Sequence, residues 1–155
     1  MKKTIFSFAI AALAAVVIMS CGSGITKLEG EPAETKYFSL IVPQTWELAK
    51  HNTDENFRIE KKLEDGTWAT MTFYAYPDRT SEPAEANSGN VRASYIDKDD
   101  ITFGKTIYNV ACKESGPTTN LYTKLTKKGL LLISVYGILT DDAEVKAIIE
   151  NVTLK

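Results

Sequence analysis

The sequence predicts an α+β domain, an antiparallel β-sheet with helices packed on it, and three observations carry that expectation. Several segments of strand length alternate apolar and polar residues, the period at which side chains of an extended chain share one face. Turn chemistry separates consecutive segments: Asp65-Gly66 follows the run holding Phe57 and Ile59, and Lys127-Lys128-Gly129 follows Leu121 to Leu125. Near the C-terminus the period changes, and Val145, Ile148, Ile149 and Val152 recur at helical spacing as one apolar stripe. Such a stripe needs a sheet face to cover.

The chain begins with Lys2 and Lys3, followed by an uncharged run from Thr4 to Met19 rich in Ile, Phe, Ala, Leu and Val. A short cationic segment and an apolar stretch of about 15 residues form a secretory signal. That stretch is shorter than the roughly 20 residues a helix needs to span the bilayer core. Ile18-Met19-Ser20-Cys21 resembles the bacterial lipobox. Ser20 is small enough for a peptidase cleft, and the Cys21 thiol is the nucleophile able to take a thioether-linked diacylglyceryl group. Residues 1–20 are therefore read as a lipoprotein signal peptide cleaved between Ser20 and Cys21, with Cys21 as the lipid-bearing N-terminus. Two or three acyl chains hold a protein at a membrane, since each buried methylene contributes about 0.8 kcal/mol and one chain binds only marginally. Gly22 stands where an aspartate would resemble an inner-membrane retention signal, so the periplasmic face of the outer membrane is the preferred location.

Residues 21–34 are polar and contain Gly22-Ser23-Gly24 and Glu29-Gly30-Glu31-Pro32, which reads as a lipidated flexible tether. Residues 35–155 form one domain, without internal repeat or second linker. Within it, Lys36 to Val42 places Phe38, Leu40 and Val42 on one face, and Pro43 stops the strand because it cannot donate to a ladder. A short piece around Trp46 and Leu48 follows. Phe57 and Ile59, the Asp65-Gly66 turn and Trp68 to Tyr76 make a hairpin. Pro77 to Asn90 is rich in Pro, Ser, Glu, Ala, Asn and Gly and reads as a loop with a short helix after Ser81; Asn90 to Ile96 is compatible with helix. Strands resume at Ile101 to Phe103, break at Gly104, and continue from Ile107 to Cys112. A second hairpin joins Leu121–Leu125 to Leu130–Tyr136. Asp141, with Glu144 three residues on, gives a capping-box-like start to the last helix.

Tyr37-Phe38-Ser39-Leu40-Ile41-Val42-Pro43-Gln44-Thr45-Trp46 resembles the F-S-L-x-x-P-x-x-W opening of PsbP-like and DcrB-like proteins. Ile101 to Tyr108 around Gly104-Lys105, the Leu130–Tyr136 strand and a closing helix over Asp141 to Leu154 extend the resemblance over most of the mature chain. It implies a PsbP-like α/β/α sandwich with a middle helix between Ser81 and Ile96, a segment interrupted here by Gly89. Because the group includes accessory and assembly factors, it also implies a non-enzymatic role.

The chemistry-bearing residues are sparse. The one histidine, His51, lies in the polar stretch Lys50-His51-Asn52-Thr53-Asp54 and reads as a solvated loop residue rather than a base. Gly104-Lys105-Thr106 imitates the end of a phosphate-binding loop, but Asp99 stands where that loop requires its first glycine. Asp97, Asp99 and Asp100 lack the spacing of a calcium loop and read as a solvated acidic turn, so no metal site is assigned. A carboxylate pair among Asp97, Asp99, Asp100 and Glu114 is the remaining route to acid/base chemistry. With Cys21 acylated, Cys112 has no partner in the chain and reads as a structural thiol within a strand. These readings predict no catalytic residue, no cofactor and no enzyme.

Lys and Arg number 18 against 20 Asp and Glu, and loss of Lys2 and Lys3 with the signal takes the formal charge from −2 to −4. A mildly acidic domain without a basic cluster argues against nucleic acid and against electrostatic adhesion to anionic lipid. Membrane attachment then rests on the lipid at Cys21. On the strand from Trp68 to Tyr76, alternation sets Trp68, Thr70, Thr72, Tyr74 and Tyr76 opposite Ala69, Met71, Phe73 and Ala75. The Trp68/Tyr74/Tyr76 face is either core or a binding surface. The expected function is a lipid-anchored, extracytoplasmic, non-catalytic binding or accessory module of the cell envelope with a protein partner. The alternative is a carrier of a small apolar or amphipathic ligand held between sheet and helix.

Overall fold

Strand Phe38–Pro43 does not join the main sheet; it lies across it. In the computed structural model, which describes residues 27–78, 95–113, 117–125 and 129–155, the strands form two antiparallel sheets. The smaller holds β1 (Gly30–Glu34), β2 (Phe38–Pro43) and β10 (Thr153–Leu154) in the order β1-β2-β10. The larger has seven strands: β3 (Glu47–Leu48), β4 (Asn56–Lys62), β5 (Trp68–Tyr76), β6 (Tyr95–Phe103), β7 (Thr106–Lys113), β8 (Thr118–Lys124) and β9 (Leu130–Tyr136). Its order is β3-β4-β5-β9-β8-β7-β6. Among the described residues one helix occurs, α1 (Ala143–Glu150).

The expected α+β sandwich with helices layered on a sheet is therefore corrected: the described chain is essentially all-β. The layer covering the inner face of the large sheet is mostly another sheet, and α1 adds only about two turns. Alternation marks Phe38 to Val42 as a strand but does not name its neighbours. Pairing with β1 and β10 instead of β4 turns it into a cover. Strand pairing begins at Gly30, opposite Pro43, five residues before the expected start of the folded part. The middle-helix expectation over 81–96 falls mostly outside the described residues, but Tyr95 and Ile96 open β6, opposite Lys113 and Cys112. Asp97, Asp99 and Asp100 lie within β6 rather than in a turn, beside a register shift between Lys98 and Ile101.

The core sits between the inner face of the large sheet and its cover. Phe57, Ile59, Met71, Phe73, Leu121, Leu131, Ile133 and Val135 meet Phe38, Leu40, Val42, Val145, Ile148 and Ile149, all buried. Phe38 stacks on Phe73 at 5.5 Å between centroids and meets Phe57 edge-on at 6.2 Å. Burial of each such side chain contributes about 1.5–3 kcal/mol. The cap of α1 is Asp142 rather than Asp141, its carboxylate accepting from the backbone N–H groups of Glu144 (2.9 Å) and Val145 (3.2 Å). Beyond the two-residue β3, Asn52 completes the edge of β4. Its amide accepts from the Arg58 N–H at 2.8 Å and donates to the Arg58 carbonyl at 3.0 Å, as a neighbouring strand would.

Candidate functional site

The outer face of the large sheet, away from α1 and the small sheet, carries all three residues predicted as a binding surface. The alternation read from sequence sets this face, since Ala69, Met71, Phe73 and Ala75 are committed to the core. The structure does not bring the three together. Tyr74 and Tyr76 are half-buried and stack at 6.3 Å with 17° between ring planes, packed on a buried cluster of Ala111, Tyr122, Leu130 and Leu132. Leu132 is the cross-strand partner of Tyr74, and Leu130 that of Tyr76. Trp68 lies at the other end of β5, six residues and about 20 Å away. Thr70 and Thr72, both buried, separate the two ends.

Trp68 is 45% exposed, and sequence reasoning missed its neighbours. Tyr136, paired with Thr70 and so diagonal to Trp68, is 48% exposed, and Leu139, just beyond β9, is 72% exposed. The chain bends away from β9 at Gly137, whose φ of 76° suits glycine and whose N–H donates to the Pro117 carbonyl at 3.1 Å. The bend forms one wall of an open groove of about 320 Å³, with Gly137, Ile138 and Leu139 facing Cys112, Thr118 and Thr119. The Cys112 thiol is half-buried and lies 3.8 Å from the Thr119 hydroxyl. In place of an interior position, it borders this groove.

A polar junction ties the same end of the sheet to its cover. Glu144, in the first turn of α1, accepts from Trp46 Nε1 at 3.0 Å, Lys61 Nζ at 2.5 Å and the Thr45 hydroxyl. Burial pushes the Glu144 carboxyl up, but the hydrogen bonds from Lys61, Thr45 and Trp46 and the charge of Lys61 together outweigh it and hold the group below its usual value. Trp46 is buried, as its place after the strand and turn suggests; its carboxylate partner was not foreseen. Glu144 is spent on this contact and does not reach back as a capping box does.

The remaining candidates are dispersed. His51 is exposed in a turn. Asp99 and Asp100 are exposed on β6, where Asp100 accepts from the Asn109 amide at 2.8 Å; Glu114 falls outside the described residues. Gly104 and Lys105 make the β6–β7 hairpin turn. Two buried polar atoms lack a hydrogen-bond partner, the Tyr108 hydroxyl and Asn120 Oδ1. Burial pushes the Tyr108 phenol far above its usual range, and the Thr106 side chain, near but outside hydrogen-bonding geometry, offsets little of that. Among the described residues no group of three or more His, Cys, Asp or Glu gathers around a point, and no helix is long and apolar enough to cross a membrane. Ser20 and Cys21 lie outside the described residues.

No family model matches the sequence, and no curated protein matches it significantly. The PsbP-like motifs are a resemblance in sequence alone, and the α/β/α sandwich they imply is not the architecture observed.

Proposed function

We propose that the chain is a lipid-anchored, extracytoplasmic, non-catalytic binding module of the bacterial cell envelope, tethered through Cys21 and engaging a protein partner on the outer face of its large sheet. The observation that carries the partner surface is the stacked, half-buried pair Tyr74/Tyr76 on a rigid strand flanked by buried neighbours. Tyrosines held this way present a large amphipathic area at little entropic cost, the character of interface anchors. The lipobox supports the anchor, and the sparse chemistry of the chain supports a binding role.

A photo-cross-linker at position 74 in intact cells tests the reading. The expected product is a discrete protein adduct, lost in the Tyr74→Ala/Tyr76→Ala double variant. No adduct above background, together with an unchanged phenotype of the Tyr74→Ala/Tyr76→Ala variant, counts against it. Buried side chains fill the space between sheet and helix where the alternative placed a ligand, and the open groove beside Cys112 is the remaining place for a carrier of a small apolar or amphipathic ligand. Organic extraction of the purified protein followed by mass spectrometry distinguishes the two, because a carrier releases a stoichiometric small molecule.

A further inference from the structure

We infer that the end of the domain bearing Trp68, Tyr136 and Leu139 rests on the bilayer, a non-covalent membrane contact added to the lipid on Cys21; the inference rests on the anchor reading above. It begins with where the chain enters the fold. Gly30 opens β1 opposite Pro43, whose carbonyl accepts from the Trp46 N–H at 3.0 Å. Glu47, next in line, pairs with Glu60 near the end of β4, and the Trp46 ring donates to Glu144 at the start of α1. The entry point therefore lies at the end of the domain where β4 finishes, β5 begins with Trp68, and β9 gives way to Leu139.

Five residues lie between Cys21 and Lys27, where the described chain begins, and Leu28 packs on the core. Even fully extended, that length reaches only about 20 Å, and a coil of it spans roughly 13 Å. The acylated cysteine thus keeps this end, and not the Tyr74/Tyr76 end, next to the membrane. That end is where three of the large exposed apolar side chains of the described residues collect. Their chemistry matches the zone: Trp and Tyr favour the headgroup level, with an apolar body and a polar tip, and Leu139 supplies aliphatic area to insert.

Charge sets the lipid class. Glu64, Asp65 and Asp141 are exposed around this end beside Lys62, so no cationic patch selects anionic headgroups. The contact is with the interface of a zwitterionic bilayer and is insensitive to salt.

The test uses the mature, acylated full chain in phosphatidylcholine vesicles with and without brominated acyl chains. Trp46 is 4% exposed and acts as the internal reference for the exposed Trp68. The expected result is quenching of a fraction of the emission by brominated lipid, lost in Trp68→Phe, reduced in Leu139→Asp, unaltered by high salt and not strengthened by added phosphatidylglycerol. An acylated, vesicle-bound chain whose Trp68 is unquenched overturns the contact and leaves the anchor standing. Mass spectrometry showing no acyl group on a membrane-fraction chain overturns the anchor and the contact together. A cross-linker at position 68 that captures one protein in cells assigns this surface to that protein instead.

Discussion

Replacing Glu144 separates the polar junction between sheet and cover from the apolar core. Three donors converge on this carboxylate, and the side chains of Lys61 and Glu144 are only 26% and 24% exposed. A hydrogen bond to a charged group contributes about 1.5–3 kcal/mol when buried, and an exposed ion pair about 0.2–1 kcal/mol. This partly exposed set lies between those limits, and Glu144→Ala also leaves the buried Trp46 N–H without an acceptor. The expected cost is about 2–3 kcal/mol for Glu144→Ala, or roughly 6–12 °C in melting temperature for a domain of this size. Glu144→Gln keeps an acceptor for Trp46 and loses the charge opposite Lys61, for about 1 kcal/mol. The pH profile is the sharper measurement. Because folding lowers the Glu144 pKa, the stabilisation is fully present above the usual value of 4.5 and is lost as pH falls through the lower folded value. Urea unfolding from pH 7 to pH 3 should show the wild type and Glu144→Gln converging below pH 4.5, as the protonated glutamate comes to resemble glutamine. A constant gap across that range, or a Glu144→Ala variant melting with the wild type, refutes the junction's role.

Tyr108→Phe removes a buried hydroxyl that has no partner and should stabilise by about 1 kcal/mol, read as a higher urea midpoint at unchanged slope. Phe73→Ala deletes the ring between Phe38 and Phe57 in the fully buried core and should cost about 3–5 kcal/mol by the same assay. Gly129→Ala should cost about 1–3 kcal/mol in melting experiments, since φ is +124° there and a Cβ would lie 2.6 Å from the Tyr76 carbonyl oxygen. Cys21→Ser, after signal cleavage, should move a folded domain from the membrane fraction to the soluble fraction, because three interfacial side chains hold far less than two acyl chains.

Local periodicity carried much of the architecture. The Asp65-Gly66 turn, the two faces of Trp68–Tyr76, the Leu130–Tyr136 strand and the stripe of α1 as far as Ile149 appear at their expected positions, because each depends on neighbours a few residues away; the helix expected to run to Leu154 ends at Glu150, with Val152 beyond it and Thr153–Leu154 in a strand. What escaped depends on partners far apart in sequence. Nothing within Phe38–Pro43 says that its partners are Gly30–Glu34 and Thr153–Leu154, and that pairing is what replaces a helical layer by a sheet. Gly30–Glu34, with two glutamates, a glycine and a proline, reads as linker; it is an edge strand, where proline and charge are tolerated. The acidic run from Asp97 to Asp100 misled in the same way: it lies within edge strand β6, where Asp99 and Asp100 are exposed without a turn.

The surface residues show the same limit more sharply. Alternation places Trp68, Tyr74 and Tyr76 on one face, and a face is all that alternation resolves; it says nothing of distance along the strand or of what β9 and β8 set alongside. Register settles both. Tyr74 and Tyr76 fall over Leu132 and Leu130 and are held half-buried there, whereas Trp68 falls past the end of that cluster, beside Tyr136 and the bend at Gly137. Tyr136 and Leu139 were invisible as surface because they close a run, Leu130 to Leu139, whose composition reads as core throughout; only its last residues, at the end of β9 and just beyond it, lose their cover. One aromatic face thus divides into two ends of different character. Under the proposed reading, the short reach from Cys21 turns that division into an orientation, with Trp68 toward the lipid and the tyrosine pair about 20 Å further out, where an envelope protein can meet it.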